Sequence, residues 1–156
     1  ALAAGGESAH PVALGLARED PAWLDALLAV PGIHLLVDGY NVTKTGFPGI
    51  TLEAQRGRLA QGLAALVART GAEITVVFDG AERTGALAVP AARGVRVIFS
   101  PAGRTADDVI VALVRAEPVG RAIAVVSADR EVITRVERAG ARGVPPPALL
   151  GLLGRK

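Results

Sequence analysis

Three apolar runs in this chain end in an acidic residue: IHLLVD at Asp38, ITVVFD at Asp79, and AIAVVSAD, which passes through Ser127 to Asp129. A fourth acidic position, the pair Asp107 and Asp108, lies in GRTADDVIVAL. Short runs rich in Val, Ile and Leu, separated by stretches of helical period, read as buried strands of a parallel sheet. Ligands of such sheets bind beyond the carboxyl ends of the strands. Carboxylates released at several of those ends converge on one crevice, where uncompensated negative charge is costly unless a cation is held there. Oxygen-only donors suit Mg²⁺ or Mn²⁺ and disfavour zinc.

Each acidic position also has a plainer reading. Asp38-Gly39 and Asp79-Gly80 are turn dipeptides. Asp107 and Asp108 fall in the first turn of an expected helix, where carboxylates favour the positive end of the macrodipole. Asp129 precedes a helix and can cap it. Taken together they point to a site, because right-handed crossovers bring these strand and helix ends to one edge of the sheet.

The elements that must position them follow from the pattern. Strands are expected at 33–38, 73–79, 95–99 and 122–127, with a short fifth at 142–144. Helical spacing places Leu59, Leu63, Leu66 and Val67 on one face of Leu52–Arg69, Val109, Ile110, Leu113 and Val114 on one face of Ala106–Glu117, and Val132, Ile133 and Val136 on one face of Arg130–Ala139. A last short helix is expected over Pro147–Leu153. The order βαββαβαβ implies a doubly wound α/β sandwich. Upstream, DPAWLDALLAV from Asp20 to Val30 offers an N-cap, a proline at the first helical position and Trp23, Leu24, Leu27 and Leu28 at helical spacing. Residues 1–18 have no clear period. We therefore expect an N-terminal extension with a short helix over 1–31 and a domain over 32–154.

Composition excludes much. The 156 residues suffice for one aliphatic core, and without any cysteine there is no disulfide, thiolate metal site or cysteine nucleophile. No run approaches the roughly 18 apolar residues of a membrane span, and no signal-peptide pattern opens the chain, so a cytoplasmic protein is expected. The net charge is +2, with 15 arginines against 2 lysines; arginine suits phosphate, but a GC-rich genome produces the same bias.

LLVDGYNV around Asp38, VVFDG around Asp79, TADD at 105–108 and VVSAD at 125–129 resemble, in order and spacing, the bacterial YacP-like branch of the NYN domains, within the PIN-like, FLAP-nuclease-related fold. The resemblance covers about residues 32–154. It implies a three-layer α/β/α sandwich with a parallel sheet in the order 3-2-1-4-5, and a metal-dependent endoribonuclease using Mg²⁺ or Mn²⁺. Asp38, Asp79, Asp107 and Asp129 match its acidic positions, Asn41 matches the Asn of its DGYN motif, and Ser127 stands where Ser or Thr is common. Asp108, less regularly acidic in the family, ranks below Asp107 as a further metal ligand. Arg104 occupies a place where an acidic or neutral residue is usual.

The chemistry agrees with that implication. Hydrolysis of a phosphodiester needs an activated water and a stabilised leaving oxygen, and a divalent ion supplies both. His34 opens its strand well before Asp38 and reads as an ordinary strand-start histidine, so a paired-histidine ribonuclease is disfavoured. Arg83, Arg104 and Arg130 lie near the motif carboxylates and could hold RNA phosphates or simply balance charge. Arg135 could pair with Glu131 one turn earlier. Tyr40 could stack a base or pack its loop. The small basic excess leads us to expect recruitment by a ribosome or a protein assembly; oligomeric state is not legible. The competing class is a catalytically weak RNA-binding module of the same fold. An aspartyl phosphatase is disfavoured because Tyr40 stands where its Asp-x-Asp motif needs a second carboxylate.

Overall fold

The structure, a computed structural model, describes residues 15–82 and 93–154. Five parallel strands, β1 (His34–Asp38), β2 (Glu73–Phe78), β3 (Val95–Phe99), β4 (Ile123–Val126) and β5 (Arg142–Val144), form one sheet in the order β3-β2-β1-β4-β5. That is the order the family resemblance implies. In register, Asp38 lies opposite Val77 of β2, while Val37 pairs with Val126 of β4.

Alternation along the strands divides the core into two layers. Leu35, Val37, Ile74, Val76, Phe78, Ala124 and Val126 face one of them. That layer is built by helices α1 (Pro21–Leu28), α2 (Gly39–Gly46), α3 (Leu52–Thr70) and α6 (Pro146–Leu153). Leu36, Val77 and Val125 face the other, built by α4 (Ala106–Ala116) and α5 (Arg130–Arg138). Asp38, two residues after Leu36, therefore leaves the sheet on the α4–α5 side.

The sequence-expected helices appear with caps that explain their limits. Asp20 accepts from Ala22 N–H at 2.8 Å and Pro21 opens α1. Thr51 caps α3, and Gly71 closes it in the left-handed conformation at φ 74°. Thr105 caps α4 by accepting from Asp108 N–H at 3.1 Å. Trp23, Leu24, Leu27 and Leu28 of α1 are buried in the same cluster as β1 and β2. No helix among the described residues is long and apolar enough to cross a membrane.

One helix was not expected. Gly39–Gly46, read from sequence as a turn followed by loop, is α2. Its Tyr40, Val42 and Thr43 are buried, and Thr43 donates to Gln55 Oε1 of α3 at 2.7 Å. Gly39 is there for close approach: a Cβ would strike the ring of buried Phe78. Gly80 likewise opens a 3₁₀ turn, Gly80–Glu82, and a Cβ on it would strike the Ser100 carbonyl.

At the opposite end of the sheet, buried His34 bonds Glu117 through Nδ1 and Thr75 Oγ1 through Nε2, the latter at 2.8 Å. Arg121 joins this group by donating to Glu117 and Glu73. His34 thus takes a structural position far from the acidic edge, as its place in the sequence suggested. On the outer side of β5, Gly143 N–H donates to Glu137 at 3.3 Å and its carbonyl accepts from Arg18 at 3.2 Å. Arg18 and Glu137 are themselves paired at 3.0 Å.

Candidate active site

Four carboxylates from four different elements line one pocket of about 230 Å³, together with Tyr40, Asn41, Lys44 and Ala106. Asp38 ends β1, Asp79 follows β2, Asp107 lies in the first turn of α4, and Asp129 precedes α5. The pocket sits beyond the carboxyl ends of the strands, where a parallel sheet offers its crevice.

Each carboxylate is held differently. Asp38 precedes α2 in the N-cap position but makes no side-chain cap bond. It is 6% exposed, and its Oδ2 accepts from Ser127 Oγ at 2.8 Å. Ser127 Oγ in turn accepts from Asp129 N–H at 3.0 Å, so one hydroxyl ties the ends of β1 and β4 together. Asp129 does cap α5: its Oδ1 accepts from Glu131 N–H at 2.9 Å and Val132 N–H at 3.3 Å. Capping and pocket lining coexist because a carboxylate has two oxygens. Asp79 uses Oδ1 in a local bond from Ala81 N–H at 2.9 Å.

The electrostatics follow from this crowding. Burial is the main influence that raises the Asp38 pKa from 3.8 to about 6. The Ser127 bond opposes it, and the charges of Asp107, Asp129 and Asp79 add to it. Asp107 is also raised, first by burial and then by Asp129 and Asp108.

Several expected contacts are placed elsewhere. Asp108 does not line the pocket: it is exposed, and Arg135 donates to its Oδ1 at 3.3 Å. Asp107 and Asp108 point about 100° apart on α4, and the second of them turns to Arg135 instead of the crevice. The same pair takes Arg135 to Asp108 in place of Glu131. Arg104 donates to the Asp108 carbonyl at 3.4 Å and does not line the pocket, nor does exposed Arg130. Arg83 lies outside the described residues.

Tyr40 lines the pocket, but its ring is not open to a base. It is 4% exposed, packs on Phe78 at 4.8 Å between centroids, and its hydroxyl accepts from buried Arg56 at 2.9 Å. Arg56 also lies 5.8 Å from the Phe99 ring centroid. Asn41 spans the crevice: its Oδ1 accepts from Ala128 N–H at 2.8 Å, joining α2 to the loop that carries Asp129. Ser127, 2% exposed, likewise positions carboxylates from within the wall.

Two residues near the site were not found from sequence. Arg56 carried no signal, being one arginine of fifteen on a helix. Lys44 did carry one: once Gly39–Gly46 is a helix, Lys44 falls one turn beyond Tyr40 and Asn41, toward the same side.

A five-stranded parallel sheet in this order, flanked by helices on both faces and with carboxylates beyond the ends of β1, β2 and β4, defines a three-layer α/β domain. The family model of the YacP-like NYN domain matches residues 35–155. The chain belongs to that family, whose function is nuclease-type and related to RNA. Its fold is similar to the crystal structure of Rae1 (YacP) from Bacillus subtilis, with 29% identity and a TM-score of 0.67 over 76% of this chain and 72% of that one. The W164L mutant of the same protein matches at 27% identity and a TM-score of 0.65, over 77% and 74% of the two chains. No curated protein matches the chain.

Proposed function

We propose that this protein is a metal-dependent endoribonuclease that hydrolyses RNA phosphodiester bonds at the pocket lined by Asp38, Asp79, Asp107 and Asp129. The observation that carries this reading is that pocket: four carboxylates from four elements, one of them buried and held by a hydroxyl, in a chain of the NYN family. Their donor chemistry suits Mg²⁺ or Mn²⁺. Among the described residues, no group of three acidic or histidine side chains is drawn close enough to enclose an ion directly. Mg²⁺ is commonly held by one or two carboxylates and keeps several waters, which suits so open a set.

Asp38, Asp107 and Asp129 would hold the ion, one or two of them directly and the rest through its waters, and the ion when bound supplies an activated water and charge stabilisation at the leaving oxygen. The chain's own residues set the geometry. Ser127 orients Asp38 and fixes the turn before Asp129, and Asn41 holds the Ala128 amide across the crevice. Arg56 and Phe78 hold Tyr40 as a fixed wall.

The absence of a preformed three-carboxylate cage among the described residues favours one second reading: an RNA-binding module whose acidic edge cleaves slowly or not at all. Incubation of labelled RNA and DNA with Mn²⁺, Mg²⁺ or EDTA separates the two. We expect RNA cleavage with Mn²⁺ or Mg²⁺, none with EDTA, and none from Asp38→Asn. Cleavage by Asp38→Asn in EDTA at the wild-type rate would eliminate the metal mechanism; RNA binding without cleavage in any ion would favour the module.

A further inference from the structure

The chain has two lysines, Lys44 and Lys156, against fifteen arginines, and Lys44 stands inside the acidic pocket. Among the described residues, no arginine lines that pocket. The carboxylate of Asp38 lies at its floor, 6% exposed, while Lys44 is exposed at its mouth. Lys44 Nζ sits 5.7 Å from the centroid of the Tyr40 ring. That ring is fixed from behind by Phe78 and from its hydroxyl by Arg56, so the ammonium has a rigid aromatic surface beneath it.

We infer that Lys44 is a phosphate-contacting residue of this pocket, its ammonium meeting an outer non-bridging oxygen of the RNA phosphodiester that the acidic floor receives. The inference rests on the nuclease reading above. A phosphodiester approaching four carboxylates is repelled unless positive charge offsets theirs, and the ammonium of Lys44 lies among the side chains that line this pocket. Among the described residues, Lys44 is the positively charged side chain that lines the pocket.

The residue type fits the place. An ammonium is a compact charge with three rotatable donors that can meet a single phosphate oxygen, whereas a guanidinium presents a planar fork matched to carboxylates and phosphates alike. The same helix carries Asn41, which clips the Ala128 amide, so the position of Lys44 is tied to the loop that bears Asp129. During hydrolysis the ammonium would meet part of the negative charge on the non-bridging oxygens.

The test uses the full chain and two variants, Lys44→Met and Lys44→Arg. Affinity for a labelled single-stranded RNA is measured across salt concentrations with Ca²⁺, cleavage with Mn²⁺, and Mn²⁺ affinity by calorimetry without RNA. For Lys44→Met we expect weaker binding to every RNA sequence, a salt slope shallower by about one, and a turnover about 100-fold lower. Its Mn²⁺ affinity should hold or rise, because a nearby positive charge is gone. Lys44→Arg should keep the wild-type salt slope, and unchanged melting temperatures would show that both variants fold.

A lysine that served only to balance the carboxylates would leave the RNA salt slope of Lys44→Met at the wild-type value, which overturns the inference. A fall in Mn²⁺ affinity alongside activity would overturn it as well. Wild-type protein that binds RNA in Ca²⁺ but cleaves nothing in Mn²⁺ would defeat the nuclease reading alone, since the slope still decides the contact. Wild-type protein with no RNA affinity would defeat the contact directly.

Discussion

At Asp38, function and stability oppose each other. Its pKa of about 6 in the folded protein stands against about 4 for an unfolded aspartate. Between those values the folded form binds a proton that the unfolded form has released, so metal-free stability falls as pH rises from about 4 to 6 and is level above. Asp38→Asn removes that loss. In EDTA at pH 7 the variant should be more stable by up to about 3 kcal/mol, a gain that vanishes near pH 4. Chemical denaturation at both pH values checks this, and equal stability of the two proteins at pH 7 would mean that the carboxylate is not strained by its burial. The acidic set itself was readable from sequence because each aspartate follows an apolar run or opens an amphipathic helix. What sequence could not show is which of two adjacent carboxylates turns inward. Thr105 fixes the start of α4, and that phase sends Asp107 to the pocket and Asp108 to Arg135.

Among the elements, α2 was hidden for a physical reason. GYNVTKTG has glycine at both ends and β-branched Val42, Thr43 and Thr45 between them, a composition of low helical propensity. Tertiary contact overrides that weakness: Tyr40, Val42 and Thr43 are buried, and Gly46 lies so close to Leu150 of α6 that a Cβ would strike it. Missing the helix also hid Lys44. The glycine of the Asp38-Gly39 pair therefore serves packing. Gly39→Ala would drive a methyl into a Phe78 ring that is 0% exposed. We expect a loss of about 1 to 3 kcal/mol, the usual range for overpacking, and a larger relative loss of cleavage because Asp38 and Asn41 flank the displaced turn. Thermal melts paired with cleavage assays read both effects; an Ala variant with wild-type stability would place Phe78 in a more yielding environment than the structure gives it.

At the scale of the molecule, the strand order and the two-layer core follow from patterning that any reader of the sequence can trace. The role of α1 was less legible, because its partners are distant in the chain. Trp23 and Leu24 are 0% exposed, and α1 packs on α6 at the far end of the sequence. Deleting residues through Val30 should therefore abolish cooperative unfolding, since it opens the layer that also carries α2 and α3. The chain has a single tryptophan, so its fluorescence reports this core without labelling. In the intact protein, the Trp23 emission change and the loss of helical circular dichroism should coincide on heating. A truncated protein that still melts in one sharp transition would show that the remaining layer closes without α1.

The pairing of Arg18 with Glu137 has a consequence for the company this protein can keep. Exposed strand edges invite other chains to add to them. At β5 the outward amide and carbonyl of Gly143 are already taken, one by Glu137 and the other by Arg18. A foreign strand arriving there finds its would-be hydrogen bonds occupied, and must first pull a pair of opposite charges away from each other to reach them. Strand addition at β5 therefore has to displace the Arg18–Glu137 pair first, which disfavours edge-to-edge association of two copies through that strand.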